Sequence, residues 1–103
     1  MNPSPENSPE APSEPSPRMD SLIDYPSPFP IKVMGNKVDG LVAAITAVAQ
    51  QFDPGFDAST IELRESKGGN YLGVTITVTA TSREQLDELY RTLSTHPMVK
   101  VVL

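Results

Sequence analysis

Residues 74–80 read Val-Thr-Ile-Thr-Val-Thr-Ala, and no other stretch constrains the fold as much. Side chains on a strand alternate between faces. Val74, Ile76, Val78 and Ala80 therefore share one side, and Thr75, Thr77 and Thr79 the other. β-branched residues in strict alternation suit a pleated surface buried on one face only. Such a strand needs neighbouring strands beside it and an apolar layer over it.

The layer comes from two helical patterns. Val38, Leu41, Val42, Ile45, Val48, Ala49 and Phe52 recur at helical spacing and predict a helix over 38–52. Ala43, Ala44 and Ala47 favour it, Asp39 near its start complements the dipole, and Asp53-Pro54-Gly55 stops it. Leu86, Leu89, Tyr90 and Leu93 form the inner stripe of a second helix. Ser82 and Gln85 match a capping box at its start, with Thr81 and Glu84 as the alternative register. His96-Pro97 ends it.

The neighbouring strands are legible too. A first strand is expected over 29–34, with Ile31 and Val33 on one face, Lys32 and Met34 on the other, and Gly35-Asn36 breaking it. One helical turn over 22–25 precedes it, and Pro26, Pro28 and Pro30 hold the chain extended into it. Ile61 and Leu63 alternate with Glu62 and Arg64 in a half-exposed second strand. Lys67-Gly68-Gly69-Asn70 supplies the glycines of a hairpin turn. Residues 99–103 form a last strand, with Val99, Val101 and Leu103 expected inward.

The order strand–helix–strand–strand–helix–strand gives an α+β fold. Two right-handed crossovers make it a ferredoxin-like βαββαβ sandwich. It has a four-stranded antiparallel sheet in spatial order 4-1-3-2, with both helices on one face. The second strand is then an edge blunted by Glu62, Arg64 and Glu65. The last strand is the other edge and is far less protected.

Composition divides the chain. Six of its 11 prolines lie in residues 1–20, where Met1, Ala11 and Met19 are the only hydrophobic side chains. Residues 1–20 are expected to be a disordered Pro/Ser/Glu-rich tail and residues 21–103 the domain. P-x-x-P spacing occurs at Pro9–Pro12 and Pro12–Pro15. A solubilising or species-specific extension is favoured over a Pro-rich recognition ligand, because such spacing arises by chance in this composition. The net charge of −5 has no basic surplus for phosphate-backbone binding. Cysteine is absent and His96 is the only histidine, which excludes disulfides, thiol nucleophiles and multi-histidine metal sites. No metal and no cofactor is expected. No apolar run is long enough to span a membrane and no secretory signal is present, so a cytoplasmic location is expected.

Function classes can be weighed by the residues they require. An RNA-recognition sheet stacks bases on aromatics, yet Lys32, Met34, Thr75, Thr77 and Thr79 hold the outward central positions. No nucleic-acid partner is expected. A small phosphatase of this fold needs an arginine near the first loop, and that loop offers only Gly35, Asn36 and Lys37. No carboxylate pair is forced together for acid–base work. No catalytic residue is assigned. The run Gly35-Asn36-Lys37-Val38-Asp39-Gly40-Leu41 resembles the Asp-x-x-Gly-Leu segment of ACT-type amino-acid-sensing domains.

A wider resemblance covers residues 20–103. Tyr25-Pro26-Ser27-Pro28-Phe29-Pro30-Ile31-Lys32-Val33-Met34-Gly35 is similar to the opening signature of the YbeD family of small bacterial proteins. Ser66-Lys67-Gly68-Gly69-Asn70-Tyr71, Val74-Thr75-Ile76-Thr77-Val78 and the ending Val99-Lys100-Val101-Val102-Leu103 resemble its hairpin and last strand. The long Pro-rich start departs from it. The resemblance implies an ACT-related fold and a lipoate-related regulatory label, with no agreed catalytic residues. It makes Met34, Gly35, Asn36, Lys37, Lys67, Gly68, Asn70 and Tyr71 candidate positions for binding a ligand or partner. The expected role is a non-enzymatic regulatory or protein-interaction domain, with a protein partner and a homodimer through its sheet. The alternatives are a sensor of an amino acid or lipoate-like acyl compound, and, less favoured, an anion-handling enzyme.

Overall fold

The structure, a computed structural model, describes residues 24–103. The tail expected over 1–20 lies outside the described residues, as do Leu22 and Ile23 of the expected helical turn. Asp24 and Tyr25, within them, are not helical.

The elements are β1 (Ser27–Asn36), α1 (Leu41–Phe52), β2 (Glu62–Glu65), β3 (Tyr71–Ala80), α2 (Arg83–Ser94) and β4 (Val99–Val102), with a 3-10 turn at Ala58–Thr60. They form one antiparallel sheet in the order β2-β3-β1-β4, the order expected. Ile31 and Val33 of β1 and Val74, Ile76, Val78 and Ala80 of β3 are buried. Leu41, Ile45, Val48 and Ala49 of α1 meet them with Leu86, Leu89 and Leu93 of α2, and Phe56 closes one end. Both helices therefore cover one face, and Lys32, Met34, Thr75, Thr77 and Thr79 stand on the other.

Four more expectations change. β1 does not break at Gly35 but runs through Asn36. Gly35 lies under Met98: a Cβ placed there would sit 2.3 Å from the Met98 carbonyl oxygen and 2.8 Å from Leu41 Cδ1. Only a bare backbone lets strand, helix and the chain entering β4 approach this closely. α1 starts at Leu41, not at residue 38. Gly40 takes φ 93° at the N-cap, a left-handed conformation that turns the chain into the helix, and Val38 is left 51% exposed. Asp39 accordingly lies outside the helix.

The second strand is exposed along its whole length, and Leu63 is 56% exposed. Leu63 pairs with Val74 and shares its face, but the helices do not extend over this edge. In β4 the inward residues are Val99 and Val102, not Val101 and Leu103. Met34 pairs with Val101 while Gly35 pairs with Val99, so Lys100 is an extra residue that reverses the alternation. Val101 and Leu103 are left 43% and 67% exposed.

Polar clamps join the layers. Ser82 caps α2, accepting from the Gln85 amide at 3.0 Å, which selects the Ser82 register. Gln85 Oε1 accepts from the Thr81 amide at 2.7 Å. Its Nε2 donates to the carbonyls of Phe52, at 3.0 Å, and Thr79, at 3.1 Å. Asp53 receives the Thr79 amide at 2.9 Å. The end of α1, the end of β3 and the start of α2 thus meet on two side chains.

Candidate functional site

The eight positions singled out in the sequence gather at one end of the sheet. Asn36 pairs with Tyr71, and the Lys37 amide donates to the Asn70 carbonyl at 3.0 Å. The β2–β3 loop closes on itself: Ser66 and Tyr71 share a backbone bond of 2.9 Å, and Ser66 Oγ accepts from the Tyr71 amide at 3.0 Å. Gly69 takes φ 76° in that turn, with its amide on the Ser66 carbonyl at 2.9 Å. The hairpin and the β1–α1 loop are therefore one connected unit.

Within it the eight residues differ in what they can offer. The Lys37 ammonium donates to Glu65, so a neighbouring surface carboxylate already pairs with its charge. Gly35 is buried and packs against backbone. Lys67 and Gly68 lie exposed at the loop tip, away from the strands. Asn70 contributes its carbonyl to Lys37. Met34 and Tyr71 alone among the eight line a groove.

That groove is open, has a volume of about 610 Å³, and runs over the helix-free face between β1, β3 and β2. Gly73 forms its floor, flanked in register by Met34 and Arg64. One step along, Thr75 is flanked by Lys32 and Glu62. Tyr71, Glu65 and Ser66 close the hairpin end. Tyr71 thus adds an exposed aromatic to a face whose outward central positions were expected to hold none. Reasoning along the chain misses Arg64, Glu62, Gly73 and Lys32 as a group, because only strand register brings them together. One signal was visible: Gly73 interrupts the outward row that runs through Tyr71, Thr75, Thr77 and Thr79.

Two titratable groups away from the groove have shifted pKa values. The Ser59 hydroxyl and amide hold the Asp57 carboxyl below its ordinary range. Burial pushes the Tyr90 phenol up. Neither faces the open sheet. Among the described residues, no cluster of His, Asp and Glu is arranged to hold a metal ion. Among the same residues, no helix is long and apolar enough to cross a membrane.

Comparison with known proteins agrees with this architecture. The model of a family described as a protein of unknown function, DUF493, matches residues 20–103. A UPF0250 protein of Leptothrix cholodnii is 66% identical over 87 residues, covering 84% of this chain and 96% of the relative. One from Bordetella pertussis is 62% identical over the same length and coverage. Among solved structures, protein HP0495 from H. pylori superposes with a TM-score of 0.66 at 16% identity, covering 79% of this chain and 85% of that one. The ACT domain of a GTP pyrophosphokinase from Chlorobium tepidum gives 0.61 at 20% identity, covering 76% and 96%. At such identities the likeness is one of fold.

Proposed function

The chain belongs to the DUF493 family and has an ACT-like fold, and from that premise we propose that it is a non-enzymatic interaction domain of regulatory type, which pairs with a second copy of itself along β4. One observation supports this reading: charges on β2, side-chain partners at Thr79 of β3 and prolines on β1 guard those edges, and β4 carries no such device.

β2 carries Glu62, Arg64 and Glu65 along its edge. β3 extends past β2 after Thr75, and there Asp53 and Gln85 take up the amide and carbonyl of Thr79. β1 extends past β4 on its other side. Leu103 exchanges backbone bonds with Lys32, at 2.8 and 3.4 Å, so Lys32 turns its amide and carbonyl toward β4. By strand alternation Pro30 and Pro28 turn the same way, into the stretch that β4 does not reach. Their missing N–H groups remove the donors a pairing strand would need.

β4 has no such guard. Its one charge, Lys100, sits in the bulge. Val102 turns its amide and carbonyl outward, beside the exposed Val101 and Leu103. Antiparallel pairing of two β4 strands would satisfy those groups and continue the sheet across two molecules.

The test is the mass in solution of the full chain and of Val101→Lys, by sedimentation. A dimer for the parent and a monomer for the variant, with unchanged circular dichroism, is the expected result. A parent that stays monomeric at about 0.5 mM, a concentration at which even micromolar association would show, refutes the pairing.

A further inference from the structure

Gly73 lies in the middle of a central strand, where glycine weakens the sheet and is usually retained for a reason. No packing reason exists here. A Cβ at Gly73 would meet nothing nearer than the Arg64 carbonyl oxygen, at 3.4 Å, an ordinary contact, whereas Gly35 has a backbone oxygen at 2.3 Å. Nor is its φ positive, as those of Gly40 and Gly69 are. What the missing side chain does is leave the floor of the groove open between Met34 and Arg64.

The walls carry unspent charge. Among the described residues, Lys32, Arg64 and Glu62 take part in no ion pair, while Glu65 is occupied by Lys37. Two free cations thus face one free carboxylate, in a chain whose net charge is −5. Arg64 and Lys32 stand on opposite sides of β3, diagonal to each other across Gly73 and Thr75. A guanidinium fork suits a carboxylate, and Met34 and the Tyr71 ring supply apolar and aromatic surface alongside.

We propose that this groove is a binding site for a small organic monoanion with a flat apolar body, its carboxylate on Arg64 and Lys32 and its body over Gly73 against Met34 and Tyr71. The site lies on the β2 side of the sheet and does not depend on association through β4.

The experiment is titration of the ¹⁵N-labelled full chain with benzoate, benzamide and inorganic phosphate, followed by amide shifts. Benzoate should give saturable shifts centred on Gly73, Tyr71 and Arg64, with the neutral amide and the body-free phosphate at least about tenfold weaker. Arg64→Gln should weaken benzoate about tenfold or more. Gly73→Val should abolish binding while raising the melting temperature, because a β-branched residue suits a strand better than glycine. The site is refuted by absence of saturation up to about 10 mM benzoate. It is equally refuted by equal binding of benzamide or phosphate, or by undiminished binding to either variant. Loss of folding in Gly73→Val would show that packing holds the glycine, and would also overturn the proposal. Because the readout is local amide shifts, failure here leaves the β4 dimer standing, and a monomeric chain leaves this site standing.

Discussion

Replacing Gly35 by alanine should damage this fold more than any other single added methyl group at a glycine. The new Cβ would lie 2.3 Å from the Met98 carbonyl oxygen, and 2.8 and 3.3 Å from the two Leu41 methyl carbons. An uncrowded carbon–oxygen contact needs about 3.3 Å, so roughly 1 Å must be recovered by movement. Leu41 can yield by turning its side chain. The carbonyl cannot, because it precedes Val99, which pairs with Gly35 itself. Overpacking a core typically costs about 1–3 kcal/mol, and a backbone clash belongs at the upper end. Restricting the unfolded chain returns about 0.4–1 kcal/mol. A net loss of roughly 2–3 kcal/mol follows, which in a domain of this size lowers the melting temperature by about 10–20 °C. Thermal unfolding followed by circular dichroism measures it. A Gly35→Ala protein melting within about 2 °C of the parent would refute the reasoning, since the two backbone segments would then have room to part. A double-mutant cycle with Leu41→Ala separates the two contacts. If the side-chain contact dominated, the coupling would recover most of the loss; the carbonyl clash predicts that it does not.

Two further predictions concern side-chain hydrogen bonds. Gln85→Ala removes acceptance from Thr81 and donation to Phe52 and Thr79, and should cost about 1–3 kcal/mol in a urea melt, with an unchanged m-value. Asp57 is held below its ordinary pKa of 3.8 by Ser59, so the unfolded chain binds the proton more readily than the folded one. Its contribution to stability is present above about pH 4 and lost as the pH falls through the lowered value. Asp57→Asn should therefore show a shallower decline of melting temperature below pH 4 and no change of slope above pH 5.

The alternation in β3 and the stripe of α2 were legible because each is a local period repeated several times, and topology followed from their order. What escaped was decided at single residues by distant contacts. The strand continues through Gly35 because Met98, far along the chain, packs on it. The helix begins at Leu41 because Gly40 is left-handed, and helical spacing from Val38 onward cannot reveal a φ angle. Val101 faces outward because one bulge residue reverses the pattern, in a strand too short for period two to expose the shift. The two candidate segments could be named from the chain because their glycines and lysines are sequence-local. The groove beside them could not, because Lys32, Arg64 and Gly73 become neighbours only through register.

Two of the alternating prolines that lead the chain into β1 also bear on assembly. Pro28 and Pro30 lie on β1 where β4 stops, so a strand arriving along that side finds carbonyls but no amides opposite it. A partner paired on the outer side of β4 lies one strand out from β1 and gains no backbone pairing there. Its ladder is confined to the four residues Val99–Val102 and the adjoining Leu103, with Lys100 bulged at one end. So short a ladder gives little association by itself, since each net backbone hydrogen bond contributes only about 0.5–1.5 kcal/mol and the ordering cost of binding must be met first. Burial of Val101 and Leu103 against their symmetry mates must supply the remainder, at roughly 25 cal/mol per Å² of apolar surface. Affinity should thus follow the two exposed side chains more than the backbone ladder. That is why Val101→Lys, which leaves every backbone group of β4 in place, is the substitution that should dissolve the dimer.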